Sequence, residues 1–157
     1  MSILIVDDSE EVREIFEAVL VDGGYHDLTT LGSAAAALSF LGVDAPLVPQ
    51  RNQVDVVFLD VIMPEMNGIE ACAQIRRDPR YVDIPIVMTT SLDDIESIEK
   101  AFQSGATDYL TKPLKVVDLL ACVRSKIKLK ADLDRRNALE RELMKHLPFC
   151  FDSYTNR

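Results

Sequence analysis

Apolar residues alternate along this chain between two rhythms. Short, nearly unbroken apolar runs lie at residues 2–6, 54–59 and 84–88, with weaker ones at 27–31 and 108–111. Runs apolar at nearly every position fit strands buried on both faces, as in a parallel sheet covered by helices. Between them the apolar positions take helical spacing. Ser9 as N-cap, with Glu10, Glu11 and Glu14 at the positive end, precedes Val12, Ile15, Phe16, Val19 and Leu20, and Gly23-Gly24 closes that helix. Ser33 caps an alanine-rich helix over 34–41, and residues 42–52 read as a long surface loop. Ile69, Cys72, Ala73 and Ile75 mark a third helix that ends by Asp78-Pro79. A fourth starts at Asp93-Asp94, aligns Ile95, Ile98, Ala101 and Phe102, and stops at Gly105. The last opens near Lys115, packs through Val116, Leu120, Val123 and Ile127, and runs to about Leu147, where Pro148 stops it. The alternation predicts an α/β fold: a doubly wound, five-stranded parallel sheet with helices on both faces and an extended C-terminal helix.

In such a sheet, ligands bind outside the carboxyl ends of the strands. The central run 54–64 delivers one carboxylate there, Asp60, before Pro64 forces a loop. Taken alone, Asp60 reads more readily as the cap of a turn. Its neighbours alter that reading. Asp7 and Asp8 end the first strand, Thr90 ends the fourth, and Lys112 follows the fifth. Two carboxylates about 4 Å apart repel by roughly 4 kcal/mol at an effective dielectric near 20, so either their pKa values rise or a cation sits among them. Hard oxygen donors without nearby His or Cys suit Mg²⁺. A lysine and a threonine hydroxyl are the groups needed to hold phosphoryl oxygens.

Charge and composition narrow the setting. A net charge of −9 and a pI near 4.7 argue against direct nucleic-acid or anionic-membrane binding. Cys72, Cys122 and Cys150 are scattered, odd in number and without metal-ligand spacing, as expected of reduced thiols in a cytoplasmic protein. No apolar run has membrane-spanning length, and Met1-Ser2 leads straight into a strand without a signal peptide. His26 and His146 fall far from the acidic cluster in the predicted fold.

Asp7-Asp8, Asp60 followed by Met63-Pro64 and Gly68, Thr90-Ser91, and Lys112-Pro113 resemble, in this order, the receiver domain of two-component response regulators. The resemblance covers roughly residues 2–128. It implies the flavodoxin-like (CheY-like) strand order 2-1-3-4-5. It further implies that Asp60 accepts a phosphoryl group from a sensor histidine kinase, a phosphotransfer protein or a small acyl phosphate. Mg²⁺ would be held by Asp7, Asp8, Asp60 and the backbone carbonyl of Ile62. Lys112 matches the lysine that pairs with the phosphoryl group, with a cis bond to Pro113. Thr90 matches the switch hydroxyl, and Tyr109 the aromatic whose rotamer follows it. Output would pass through the face made by the fourth helix, fifth strand and fifth helix, about residues 94–126. Ile62 and Leu92 depart from the family's polar pattern beside the phosphoryl group, and apolar side chains there are expected to slow attack by water.

The tail reads as a separate element. A receiver over 1–128 is followed by a helical extension or linker stalk over 129–157, either frayed or mediating a homodimer or a junction to an output domain, as in a larger multidomain regulator. Leu129, Leu133, Leu139, Leu143 and Leu147 are apolar, but polar residues 134–137 interrupt the seam. Two other readings compete. A pseudo-receiver would never take phosphate. A haloacid-dehalogenase-type phosphatase would use an aspartyl nucleophile, but its Asp-x-Asp after the first strand is here Asp7-Asp8.

Overall fold

The three most apolar runs become the middle of the sheet. The computed structural model describes residues 1–43, 53–91 and 95–147. β1 (Ser2–Val6), α1 (Glu10–Asp22), β2 (Asp27–Leu31), α2 (Ala34–Leu41), β3 (Val56–Asp60), α3 (Gly68–Arg77), β4 (Ile86–Thr90), α4 (Ile95–Gln103), β5 (Asp108–Thr111) and α5 (Val116–Lys145) follow in order. The strands form one five-stranded parallel sheet in the order β2-β1-β3-β4-β5, the predicted topology.

Because side chains alternate across a strand, each central strand feeds two cores. Leu4, Val6, Val57, Leu59, Ile86 and Met88 face the buried sides of α2 and α3. Ile3, Ile5, Val56, Phe58 and Val87 face α1 and α5, where Phe16 and Phe58 meet with ring centroids 5.3 Å apart. Parallel register keeps the strand ends level. Val6 lies beside Leu59, Asp60 beside Thr89, and Thr90 beside Thr111. The first two helices begin as predicted: the Ser9 hydroxyl accepts from the Val12 amide and the Ser33 hydroxyl from the Ala36 amide.

Several local expectations are corrected. The third helix does end at Arg77, but Asp78 then caps a short 3-10 turn, Pro79–Tyr81, binds Arg80 at 2.6 Å, and lets the Tyr81 hydroxyl donate to the Leu41 carbonyl. The face of α5 that packs is Leu119, Cys122, Val123, Lys126 and Ile127, while Val116 is exposed. Of the predicted seam, Val123 and Ile127 are buried and Leu120 packs partly against the core, so only Val116 departs, while Lys126 joins the packed face although its charge marked it as polar. Lys126 lays its stem along the core and pairs its ammonium with Asp108 at 2.8 Å. On α4 only Ala101 is buried, and Ile95 and Phe102 face outward. The expectations for loop residues 44–52, for Leu92, Asp93 and Asp94, and for Pro148 and Cys150 lie outside the described residues.

Candidate functional site

The level strand ends bring the predicted residues together. Asp7 follows β1 immediately, and its amide donates to the Leu31 carbonyl, which carries the β1–β2 ladder one residue further. Asp60 is the last residue of β3, and the Val61 amide bonds the Thr89 carbonyl. The Lys112 amide bonds the carbonyl of Thr90, so the residue after β5 is held to the end of β4. Asp7 and Asp60 are almost wholly buried, at 1% and 4% exposure, while Asp8 faces solvent. One oxygen from each of the three carboxylates lies within 4.8 Å of the others.

Lys112 lies between the two buried acids. Its Nζ is 2.9 Å from Asp7 Oδ2 and 3.2 Å from Asp60 Oδ1. Burial pushes the Asp60 carboxyl up to about 6, the charge of Asp7 pushes the same way, and Lys112 offsets only part of the rise. For Lys112, burial acts to lower the pKa, but its hydrogen bond to Asp7 and the charge of Asp60 outweigh it and hold the ammonium above its ordinary value. Lys112 offsets one of three negative charges; a divalent cation offsets the other two. An all-oxygen donor set with one ligand open to water fits Mg²⁺.

The remaining predicted positions frame this cluster. The Ile62 amide lies 3.4 Å from Asp60 Oδ1, and its side chain is 54% exposed beside the site. Thr90 is buried and Ser91 exposed. Tyr109 is half-buried, edge-on to Phe102 at 6.0 Å. The Lys112–Pro113 peptide is cis.

The sequence reading missed two supports. Arg13 Nη1 donates to the Asp7 carbonyl at 2.6 Å, and its guanidinium passes close over Gly32. Arg13 lies six residues beyond Asp7 in sequence, and a single charge carries no pattern that would mark it. The Ser9 amide donates to Asp7 Oδ1 at 2.9 Å, so Asp7 accepts on both oxygens.

The model of the family described as the response regulator receiver domain matches residues 3–124. The chain belongs to that family. It is 34% identical over 123 residues to the DNA-binding dual master transcriptional regulator RpaA of Synechocystis, covering 78% of this chain and 47% of that protein. It is 36% identical over 132 residues to the response regulator PleD of Caulobacter vibrioides, covering 84% of this chain and 27% of that protein. The receiver thus spans between about a quarter and a half of these two curated relatives. Among solved structures, a putative response regulator from Chloroflexus aurantiacus superposes with a TM-score of 0.72 at 31% identity, covering 81% of this chain and 97% of that one. The Vibrio cholerae chemotaxis protein CheY4 gives 0.70 at 30%, covering 79% and 96%. This chain is therefore a signalling domain of two-component systems, and among the described residues no helix is long and apolar enough to cross a membrane.

Proposed function

We propose that Asp60 is the phosphoacceptor of this receiver. The observation that carries the reading is a buried strand-end carboxylate that shares one lysine with a second buried carboxylate. With its pKa near 6, Asp60 is mostly ionised at neutral pH and keeps a reactive oxygen. That oxygen attacks phosphorus. The P–N bond to a donor histidine, or the P–O bond to an acyl phosphate, breaks, and its electron pair leaves with the donor. Lys112, already 3.2 Å from Asp60, stays with the new phosphoryl oxygens. The Thr90 hydroxyl supplies a further donor from the end of β4. Asp7, Asp8, Asp60 and the Ile62 carbonyl would hold Mg²⁺, which would offset charge on the phosphoryl group.

Phosphorylation adds charge and acceptor oxygens that Lys112 and Thr90 meet only in that state. Movement of Thr90 makes room for Tyr109 to turn inward, away from its edge contact with Phe102. The readout is the face of α4, β5 and α5, where Ile95, Phe102 and Val117 stand exposed. We assign the donor role to a cytoplasmic sensor kinase or phosphotransfer protein, and the readout to an output domain or partner. Residues 1–128 act as the receiver and 129–157 as its extension. With a net charge of −9, we assign no nucleic-acid contact to this chain itself.

Intact mass after incubation with acetyl phosphate and Mg²⁺ tests the assignment. The parent chain gains one phosphoryl mass, and Asp60→Asn gains none. Retention of the gain in the mutant, or its absence from the parent after a fast quench, overturns it. The half-exposed Ile62 carries a second expectation. Ile62→Asn, which can hold a water beside the acyl phosphate, speeds its loss by on the order of tenfold, equivalent to about 1.4 kcal/mol in the barrier. Decay of the phosphorylated mass over time measures this, and an unchanged rate removes Ile62 from the account.

A further inference from the structure

The polar interruption in the tail has a different meaning once α5 is seen as one unbroken helix from Val116 to Lys145. Leu129, Leu133, Arg136, Glu140 and Leu143 follow one another at steps of 4, 3, 4 and 3, the spacing of a heptad seam, and Leu147 lies just past the helix end. The seam is regular, and only its two middle places are charged. It does not coincide with the side of α5 used by its own domain. That side carries Leu119, Cys122, Val123 and Lys126, and further along Asn137, whose Nδ2 donates to Asp83 at 2.8 Å. The seam lies on the flank, with Leu143 62% exposed and Leu129, Arg136, Glu140 and Leu147 also open.

We propose that this flank binds a second copy of the chain, with the two α5 extensions antiparallel. Charge complementarity selects the occupant and its direction. In a parallel pair, Arg136 would face Arg136 and Glu140 would face Glu140, placing like charges in two successive layers. Turned end for end about a two-fold axis, the same seam puts Arg136 against Glu140 of the second copy, twice by symmetry. The same register sets Leu133 against Leu143, twice by symmetry, and brings Leu129 to the end of the second helix, just short of Leu147. It also brings the exposed Leu139 of each copy next to its counterpart at the axis. Within one chain Arg136 and Glu140 already form an exposed ion pair at 3.4 Å, which contributes little by itself. Their role is to specify register, as polar residues at seam positions do in coiled coils. The helical part of the contact, from Leu129 to Lys145, spans about 24 Å, and the two receivers run in opposite directions from the axis. The proposal does not depend on Asp60.

Sedimentation equilibrium on the full chain, from low micromolar to hundreds of micromolar, tests it. The mass rises toward that of a dimer. Arg136→Glu or Glu140→Arg alone weakens association by at least about tenfold, since each makes both middle layers like-charged. An equimolar mixture of the two variants, or the double exchange in one chain, restores it. Direction is read separately in a Cys150→Ser background. Leu133→Cys mixed with Leu143→Cys forms a disulfide-linked pair, and neither variant does so alone. A monomer at every concentration, a dimer indifferent to the charge changes, or cross-linking of Leu143→Cys with itself overturns the proposal. Unchanged helical circular dichroism in the variants excludes misfolding as the cause of a lost dimer.

Discussion

In metal-free buffer at neutral pH, Asp60→Asn unfolds at a higher urea concentration than the parent chain, even though it can no longer take phosphate. Burial and the charge of Asp7 raise the Asp60 carboxyl from 3.8 to about 6. The folded chain therefore keeps a proton between about pH 4 and 6 that the unfolded chain has lost. Stability from this group is fully present below pH 4 and is lost as pH rises through 6. Above that, ionised Asp60 costs the fold on the order of 2–3 kcal/mol, a net figure in which the favourable pairing with Lys112 is already counted. Asparagine keeps the shape and removes the charge, so its stability should be nearly level across this window. Urea unfolding in chelator at several pH values measures both curves. A parent curve as flat as the mutant's would show that Asp60 is not strained. Added Mg²⁺ should stabilise the parent and leave Asp60→Asn much less affected, since one ligand is gone.

Gly68→Ala should cost about 3 kcal/mol and take phosphorylation down with it. A Cβ at Gly68 would sit 2.1 Å from the carbonyl oxygen of Asp60 and 3.1 Å from Cα of Val61. Both are backbone, so no side chain can swing aside. The Gly68 amide also donates to the Val61 carbonyl at 2.9 Å. A methyl group would push the start of α3 away from the end of β3, the strand end that carries Asp60. Gly24 is the control. Its φ is +95°, but a Cβ there meets nothing within 4 Å, so Gly24→Ala pays only backbone strain, about 1 kcal/mol. Urea midpoints and phosphoryl uptake of the two variants compare them directly. Equal stability, with Gly68→Ala still taking phosphate, would contradict the close-approach argument.

The proposed seam gives the polar residues of the tail a second role. Polar residues near 134–137 do interrupt the leucines. In an unbroken helix, however, Asn137 turns toward Asp83 of its own domain while Arg136 keeps its place in the seam. The same applies to Lys126, whose charge disguised a packed position until Asp108 was seen beside it.

Sequence alone determined the elements and the chemistry at their ends. Apolar runs at 2–6, 54–59 and 84–88 fit strands covered on both faces, and their alternation with helical segments predicts a parallel sheet. A parallel sheet puts all carboxyl ends at one edge, so Asp7, Asp8, Asp60, Thr90 and Lys112 had to meet there. These conclusions rest on periodicity and chain direction, which are local. Only the tertiary structure decided how the residues act on each other. Lys112 reaches Asp7 across 105 residues of sequence, Asp60 owes its raised pKa to burial by neighbouring elements, and Gly68 is needed because a distant-looking backbone lies 2.1 Å from its missing side chain. Burial and charge fall steeply with distance through space, and no spacing along the chain encodes them.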